Sequence, residues 1–469
     1  MRHRGLSSDP GSFRDPLSRV YVADDAVWRG LSEPGLADFE AYAATRAYAS
    51  AQKDGRVVAT TSVPIAETPL EPGWAGALRH ERVQVITYPY EWTFSMLKDA
   101  ALLQLELSRE ALAEGILTKD ATSYNVQFQG ARPVFIDVGS FERLVPGEPW
   151  PGYRQFCELY LNPLYLQAVV DVPFQPWLRG SVHGISPTVA ARAIGGRRRL
   201  QRDLLTHVRL HARAEARYAD ADADRDVKGE LQRAGFGPKL IDAQMANLRK
   251  AVDRLEWKAS ASTWSTYSTR GHYTDADLEA KEAIVAAATA SLQEPVVLDL
   301  GANDGRFSRV AVDTGASLAI SVDGDHLVVD HLYRQLRSEG ETRILPLVMD
   351  LSDPSPGLGW RGRERPSFVD RVRPDLVLCL AVIHHLALSG TVPFPEIVAF
   401  LHDFSAPLVV EMPHRDDPMA ARLLARKRPG VFDSYDRPAW EAALRERFQV
   451  DEQVTLPSGT RTIYRCTPR

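Results

Sequence analysis

Runs of branched apolar residues recur through the second half of the chain, each ending at a glycine, an acid or a histidine. Val296 to Leu300 is too short and too uniformly apolar for an amphipathic helix, and it stops at Gly301. The run therefore predicts a strand buried on both faces. Ser317–Asp323, Ile344–Asp350, Asp375–Val382 and Pro407–Pro413 repeat the pattern. Between them Arg306–Asp313 and Phe394–Phe404 read as helices, and Asp275–Ser291 as a helix ahead of the first run. Val450–Leu456 and Arg461–Thr467 flank Pro457-Ser-Gly-Thr460 and predict a closing hairpin. The first half is less regular. Arg19–Leu31 predicts a hairpin, Leu36–Gln52 a helix and Val83–Tyr88 a strand. Ser95–Glu114 predicts a long helix with Gly115 at its C′ position. Residues 1–16 are polar and predict a loose tail.

The turn after the first apolar run carries Asp299-x-Gly301-x-Asn303-x-Gly305. This is not the G-x-G-x-x-G spacing that seats a pyrophosphate. The glycines remove Cβ atoms that would keep a ligand from the turn, and the helix they open offers free backbone N–H groups. An acid two residues before the first glycine suits a ligand with a cationic group. The next two runs also end in acids, Asp323 and Asp350.

This series resembles the class I S-adenosylmethionine (SAM) dependent methyltransferases over residues 291–469. The resemblance implies a Rossmann-like seven-stranded sheet with SAM as cofactor. Asp299, Gly301, Asn303, Gly305, Asp323, Asp350 and Leu351 then fall at cofactor-binding positions, Asp323 toward the ribose hydroxyls and Asp350 toward the adenine amino group. His384 and His385 follow the fourth run, at the edge where doubly wound sheets place ligands. They are candidates for the general base that methyl transfer to a hydroxyl requires, or for residues that only shape the pocket. Glu411, after the fifth run, is a candidate to reach the acceptor or to orient its own loop. His414 and Arg415 lie near it in sequence.

In the first half, Leu117 to Gly139 follows a different order: Asp120-x₄-Asn125, a strand, a glycine turn, an apolar strand, Asp137-x-Gly139. This resembles the core of protein-kinase-like and aminoglycoside-kinase-like phosphotransferases. By that resemblance Asp120 would be the catalytic-loop base, and Asn125 and Asp137 would hold magnesium on ATP phosphates. Thr118 stands where those enzymes usually carry histidine, residues 17–82 hold no G-x-G-x-x-G loop, and no lysine sits in an obvious third strand. The alternatives are a degenerate module that binds or scaffolds, an active kinase, and an unrelated fold.

The expected organisation is a flexible tail at 1–16, a kinase-like α+β domain at 17–165, a helical bridge and lid at 166–290, and the α/β methyltransferase domain at 291–469. It is similar to a family of bacterial methyltransferases, some labelled nodulation-associated, that share a stretch like Tyr88-Pro-Tyr-Glu-Trp-Thr-Phe94. Within the bridge, 187–222 with Arg197–Arg199 reads as exposed helix, and Asp220–Asp226 as a polar break. Trp264, Tyr267 and Tyr273 read as lid or core aromatics.

Composition narrows the partners. At 469 residues with 44% hydrophobic and 25% charged residues, the chain holds two or three ordinary globular domains. A net charge of −5 gives no general reason to expect nucleic acid. Three scattered cysteines exclude a disulfide framework and a CxxC metal site. No run of about 18 apolar residues and no signal-peptide core occurs, so a cytoplasmic location without membrane insertion is expected. The acceptor is expected to be a small hydroxylated metabolite or a sugar, methylated on oxygen. The rival readings are a bifunctional kinase and methyltransferase, and a non-catalytic SAM-binding or scaffold protein.

Overall fold

The computed structural model describes residues 6–194, 237–258 and 274–469. The described residues fall into two compact units. One lies within Met1–Phe128, Pro133–Ala259 and Leu358–Arg365, the other within Gln129–Arg132, Ser260–Gly357 and Pro366–Arg469. Arg197–Arg199, Asp220–Asp226, Trp264, Tyr267 and Tyr273 lie outside the described residues.

The first unit is built on a five-stranded antiparallel sheet. Its strands are β1 (Ser7–Ser8), β2 (Ser18–Val22), β3 (Val27–Leu31), β4 (Thr60–Val63) and β5 (Gly76–His80), in the order β1-β2-β3-β5-β4. The predicted β2–β3 hairpin is present. The loose tail is corrected within its described part, because Ser7 and Ser8 pair with Val22 and Tyr21. The single helix expected over Leu36–Gln52 is two helices, α1 (Glu33–Ala43) and α2 (Arg46–Lys53). Thr45 divides them: its backbone is extended, and its hydroxyl accepts from Tyr48 N to cap the second helix.

The strand expected over Val83–Tyr88 does not form. Gln127 takes the place of a neighbouring strand there. Its Oε1 accepts from Thr87 N at 2.7 Å and its Nε2 donates to the Thr87 carbonyl at 2.9 Å. Trp92 Nε1 donates to Thr87 Oγ1 and the Glu91 carboxylate accepts from Tyr88 N, so the Tyr88–Phe94 motif is folded around its own polar groups. Thr93 then caps α3 (Phe94–Leu112), and Gly115 takes the expected left-handed conformation beyond its end.

The short strands β6 (Ile116–Thr118) and β9 (Phe141–Arg143) pair antiparallel. Between them lies the predicted hairpin of β7 (Val126–Gln129) and β8 (Arg132–Phe135). Helices follow: α4 (Tyr153–Phe156), a π-turn over Cys157–Leu161, α5 (Asn162–Val170), α6 (Gln175–Gly180) and α7 (Pro187–Ala193). These helices turn apolar side chains inward, with Phe156, Tyr160, Leu161 and Leu164 all 0% exposed. Within the expected bridge, α8 (Pro238–Asp253) belongs to this unit and packs along α3. Arg109 pairs with Asp242 at 2.7 Å, and Lys98 donates to the carbonyls of Asp253 and Leu255 at the end of α8, where the helix dipole favours a cation.

The second unit is a seven-stranded sheet flanked by helices. The helix α9 (Asp275–Ala290) leads into β10 (Val296–Leu300), α10 (Arg306–Asp313), β11 (Leu318–Asp323), α11 (His326–Glu339) and β12 (Ile344–Val348). After α12 (Phe368–Arg371) come β13 (Leu376–Cys379), α13 (Phe394–His402) and β14 (Leu408–Pro413). The unit continues with α14 (Pro418–Leu424), α15 (Arg437–Arg447), β15 (Phe448–Thr455) and β16 (Arg461–Pro468). The order is β12-β11-β10-β13-β14-β16-β15. The first five strands are parallel, and the predicted hairpin joins them antiparallel through β16.

Every residue of β12 and β14 is buried, as the unbroken apolar runs require. Each fully buried Val or Leu contributes about 1.5–3 kcal/mol, so these strands hold the sheet firmly beneath the loops at its carboxyl end. Cys379 lies inside β13 as a buried free thiol. Among the described residues no helix is long and apolar enough to cross a membrane.

Candidate active site

The carboxyl ends of β10, β11, β12, β13 and β14 bring together the residues singled out in the second half of the sequence. The turn after β10 is left-handed at Gly301 (φ +80°), Asn303 (φ +50°) and Gly305 (φ +79°). The glycines serve packing as much as access. A Cβ on Gly301 would stand 2.2 Å from Val382 Cγ2, and one on Gly305 would stand 2.9 Å from the Leu332 methyl groups. At the end of β11, Asp323 Oδ2 accepts from Asn303 N at 2.9 Å and Oδ1 accepts from Asp325 N at 2.9 Å. One carboxylate thus fixes the glycine turn and the entry to α11.

Asp299 is placed differently from the expectation of an acid facing a cationic ligand. It is 1% exposed, and its Oδ2 accepts from Ser308 Oγ at 2.7 Å, which in turn accepts from Ser321 Oγ. Burial pushes its carboxyl up to about 7. The group ties β10 to α10 from below. Asp350 is exposed and accepts from the backbone and hydroxyl of Ser352, beside half-buried Leu351.

The two histidines divide by exposure. His384 is 0% exposed and neither ring nitrogen has a hydrogen-bond partner, whereas His385 is half-buried. Their ring centroids are 4.0 Å apart. Burial, then His385 and the cations of Arg461 and Lys281, hold His384 well below its ordinary range. Burial, then Arg461, brings His385 down to about 4. Both rings are neutral at pH 7.

Glu411, expected to reach an acceptor or to orient its own loop, is closed into an ion network. Its Oε2 meets Lys281 Nζ at 2.7 Å and its Oε1 accepts from Arg461 Nη1 at 3.0 Å. Arg461 Nε also donates to Asp417 Oδ2 at 2.6 Å, and all four side chains are at most 1% exposed. Burial alone would raise the Glu411 carboxyl, but the two cations hold it below the ordinary range. Two cations and two acids touch there, and buried Asp277 is a further acid acting on Lys281. Asp417 Oδ1 accepts from Met419 N and Ala420 N as well, capping α14. His414 is bonded to Thr462 on β16 and Arg415 to the Phe432 carbonyl beyond α14.

Lys281 and Arg461 were not singled out from sequence. A signal existed for Lys281, which shares a helix face with buried Val285 and Ala288 at i+4 and i+7, a poor place for an unpaired ammonium.

The first-half constellation is also brought together. Asp120 follows β6 and its Oδ1 accepts from Thr122 N at 3.1 Å; the side chains of Asn125 and Gln155 stand against it. Burial, then the charge of Asp137, push its carboxyl up to about 6. Asp137 follows β8 and lies 2.7 Å from Arg29 Nη1, on β3. The sequence reading sought a lysine in a third strand and passed over this arginine. Among the described residues no group of three His, Cys, Asp or Glu side chains is arranged to hold a metal.

No family model matches the sequence. The chain is 33% identical over 457 residues to the nodulation protein NoeA of Rhizobium meliloti (strain 1021), covering 97% of this chain and 94% of that protein. Among solved structures, it is similar to a SAM dependent methyltransferase from Aquifex aeolicus (12% identity, 41% of this chain and 93% of that chain, TM-score 0.30). It is also similar to the N-methyltransferase NodS from Bradyrhizobium japonicum WM9 (11%, 41% and 97%, TM-score 0.30). A third likeness is to the bifunctional kinase-methyltransferase WbdD (14%, 44% and 41%, TM-score 0.30).

Proposed function

The chain belongs to the family of nodulation protein NoeA, and we propose that it is a SAM-dependent methyltransferase acting on a hydroxyl of a small metabolite or sugar. The observation that carries the proposal is the turn at Gly301–Gly305 locked to Asp323 at the carboxyl edge of a sheet ordered β12-β11-β10-β13-β14-β16-β15. The groups present fit the cofactor: a left-handed glycine turn at the carboxyl edge of the sheet, a carboxylate at the end of the second strand and an exposed one after the third. Gly301, Asn303, Gly305, Asp323, Asp350 and Leu351 would hold it, and Asp299 would support the turn from beneath. When bound, SAM supplies an electrophilic methyl group on a sulfonium.

His385 takes the acceptor proton in this proposal. It is half-buried and neutral, so its ring can accept a hydrogen bond from a hydroxyl and then the proton as oxygen attacks. His384, buried against it, positions the His385 ring. The closed Lys281–Glu411–Arg461–Asp417 network keeps Glu411 from serving as base and fixes the ends of β14 and β16. The test is transfer of label from methyl-labelled SAM into a size-fractionated cell extract. Label is expected in a small-molecule or glycan fraction and should vanish with Asp323→Ala. Intact SAM binding with no label in any fraction would overturn the reading.

A second activity class concerns the first unit. Its antiparallel sheet with a helix pair between β3 and β4, and its Asp120-x₄-Asn125, hairpin and Asp137-x-Gly139 order, support a kinase-like module. ATP binding to the full chain tests it. The magnesium expectation does not fit as well, because the Arg29 guanidinium already stands on Asp137.

A further inference from the structure

Arg29 is an inward-facing cation on the third strand of the first sheet. Its residue is 8% exposed, and a buried guanidinium is tolerated only beside an acid. Asp137 supplies that acid at 2.7 Å, and Ser18 Oγ accepts a second contact from the same Nη1 at 3.2 Å. Ser18 is itself held by Asp15, to which its hydroxyl donates at 2.7 Å. Gly139 leaves the pair room: a Cβ there would stand 3.2 Å from Arg29 Nη1 and 3.6 Å from Asp137 Oδ1. The pair is therefore built in from three sides: the strand that carries the arginine, the serine that steadies it, and the glycine that does not crowd it.

The surrounding charges point the same way. His80 lies across the strand pair from Val27, and burial, then the charge of Arg29, hold its ring neutral, down to about 3. Asp120 is the second acid near Asp137, and Asp9 feels Arg29 from the other side. A divalent ion arriving at Asp137 would meet a fixed positive charge within contact distance of the same oxygen.

We propose that Arg29 is the built-in counter-ion of Asp137, standing where the kinase-like reading would place a divalent metal, so that the first unit folds and takes a nucleotide without one. The identity of the displaced group and the nucleotide rest on the kinase-like reading. The ion pair and its consequence for stability do not.

The experiment is thermal unfolding of the full chain in EDTA and then in millimolar Mg²⁺ or Mn²⁺. The wild-type midpoint is expected to be the same in all three. Asp137→Asn is expected to lower the midpoint in EDTA, with roughly a 10- to 100-fold fall in the folded-to-unfolded ratio, because it removes the charge that compensates a buried guanidinium. A metal-ligand aspartate would do the opposite, since neutralising it in EDTA relieves repulsion with Asp120. Arg29→Met is expected to gain a Mn²⁺-dependent rise that the Arg29→Met/Asp137→Asn double variant lacks. A Mn²⁺-dependent rise in the wild type, or a raised midpoint in Asp137→Asn, would overturn the proposal even if Arg29→Met does not fold. Trinitrophenyl-ATP added in EDTA separates the two readings. Its failure to bind a chain whose Asp137→Asn variant is destabilised removes the kinase-like reading and leaves the counter-ion in place.

Discussion

Glu411 lies within β14 and Asp137 two residues beyond β8, and both touch an arginine, yet their surroundings differ in exposure. Around Glu411 two cations bridge Glu411 and Asp417 with buried Asp277 near Lys281, and every member is sealed from solvent. Around Asp137 one arginine pairs with Asp137 while Asp120 adds a like charge, and the Asp137 side chain stays 23% exposed. A mutually paired, dry network has no vacancy for a substrate group and fixes the chain. An unbalanced, partly wet one keeps an acid, Asp120, in its protonatable range. The two sites therefore answer differently to the same kinds of substitution.

The largest difference is expected from removing an acid. Glu411→Ala leaves Lys281 and Arg461 facing each other without water and is expected to cost about 3–5 kcal/mol by chemical denaturation. Asp120→Asn in the first unit is expected to be neutral or mildly stabilising by the same measurement, since it removes the like charge beside Asp137. A destabilised Asp120→Asn would end the contrast.

The next effect is kinetic. His385→Ala is expected to lower kcat about 10²-fold or more with an unchanged unfolding midpoint, as loss of a general base does. Equal loss of kcat in Glu411→Gln, at a temperature where that variant is folded, would reopen the network as part of the chemistry. Asp323→Ala is expected to weaken SAM binding roughly 10- to 100-fold by calorimetry, through loss of the carboxylate that holds Asn303 N.

The smallest effect is the pH dependence of stability, and it has opposite signs in the two units. His385 sits at about 4 against 6.5 ordinarily, so across that window the unfolded chain binds a proton that the native ring refuses. Its contribution to stability falls as pH drops from 6.5 to about 4. Asp120 sits at about 6 against 3.8, so the native state binds the extra proton, and its contribution falls as pH rises from 3.8 to about 6. Differential titration of His385→Ala and Asp120→Asn against wild type should remove slopes of opposite sign.

The parallel strands were legible because both of their faces are buried and the sequence says so in uninterrupted Val, Leu and Ile. Arg306–Asp313 matches its helix to the residue for a similar reason: Gly305 marks its start and the apolar run its face. Val83–Tyr88 misled because alternation of apolar and polar residues looks the same whether a strand or a glutamine side chain satisfies the backbone. The break at Thr45 carried a capping residue that an Ala-rich run obscured. Glu411 stood out as a residue, but its partners lie 130 residues before it and 50 after it, a distance no local pattern spans. Arg29 was overlooked because the template sought lysine, whereas the buried site needs only a cation that an acid can hold.

The order in which the closed network's members occur along the chain gives synthesis a sequence of charge states. Lys281 is made first, then Glu411, then Asp417, and Arg461 only 44 residues after that. At roughly 5–20 residues per second that gap lasts about 2–9 s. During it two acids share one lysine, and β14 cannot be sealed without drying an uncompensated carboxylate. Refolding from denaturant has all four groups present from the start. The second unit therefore meets an electrostatic delay when it is made that it does not meet when it is remade.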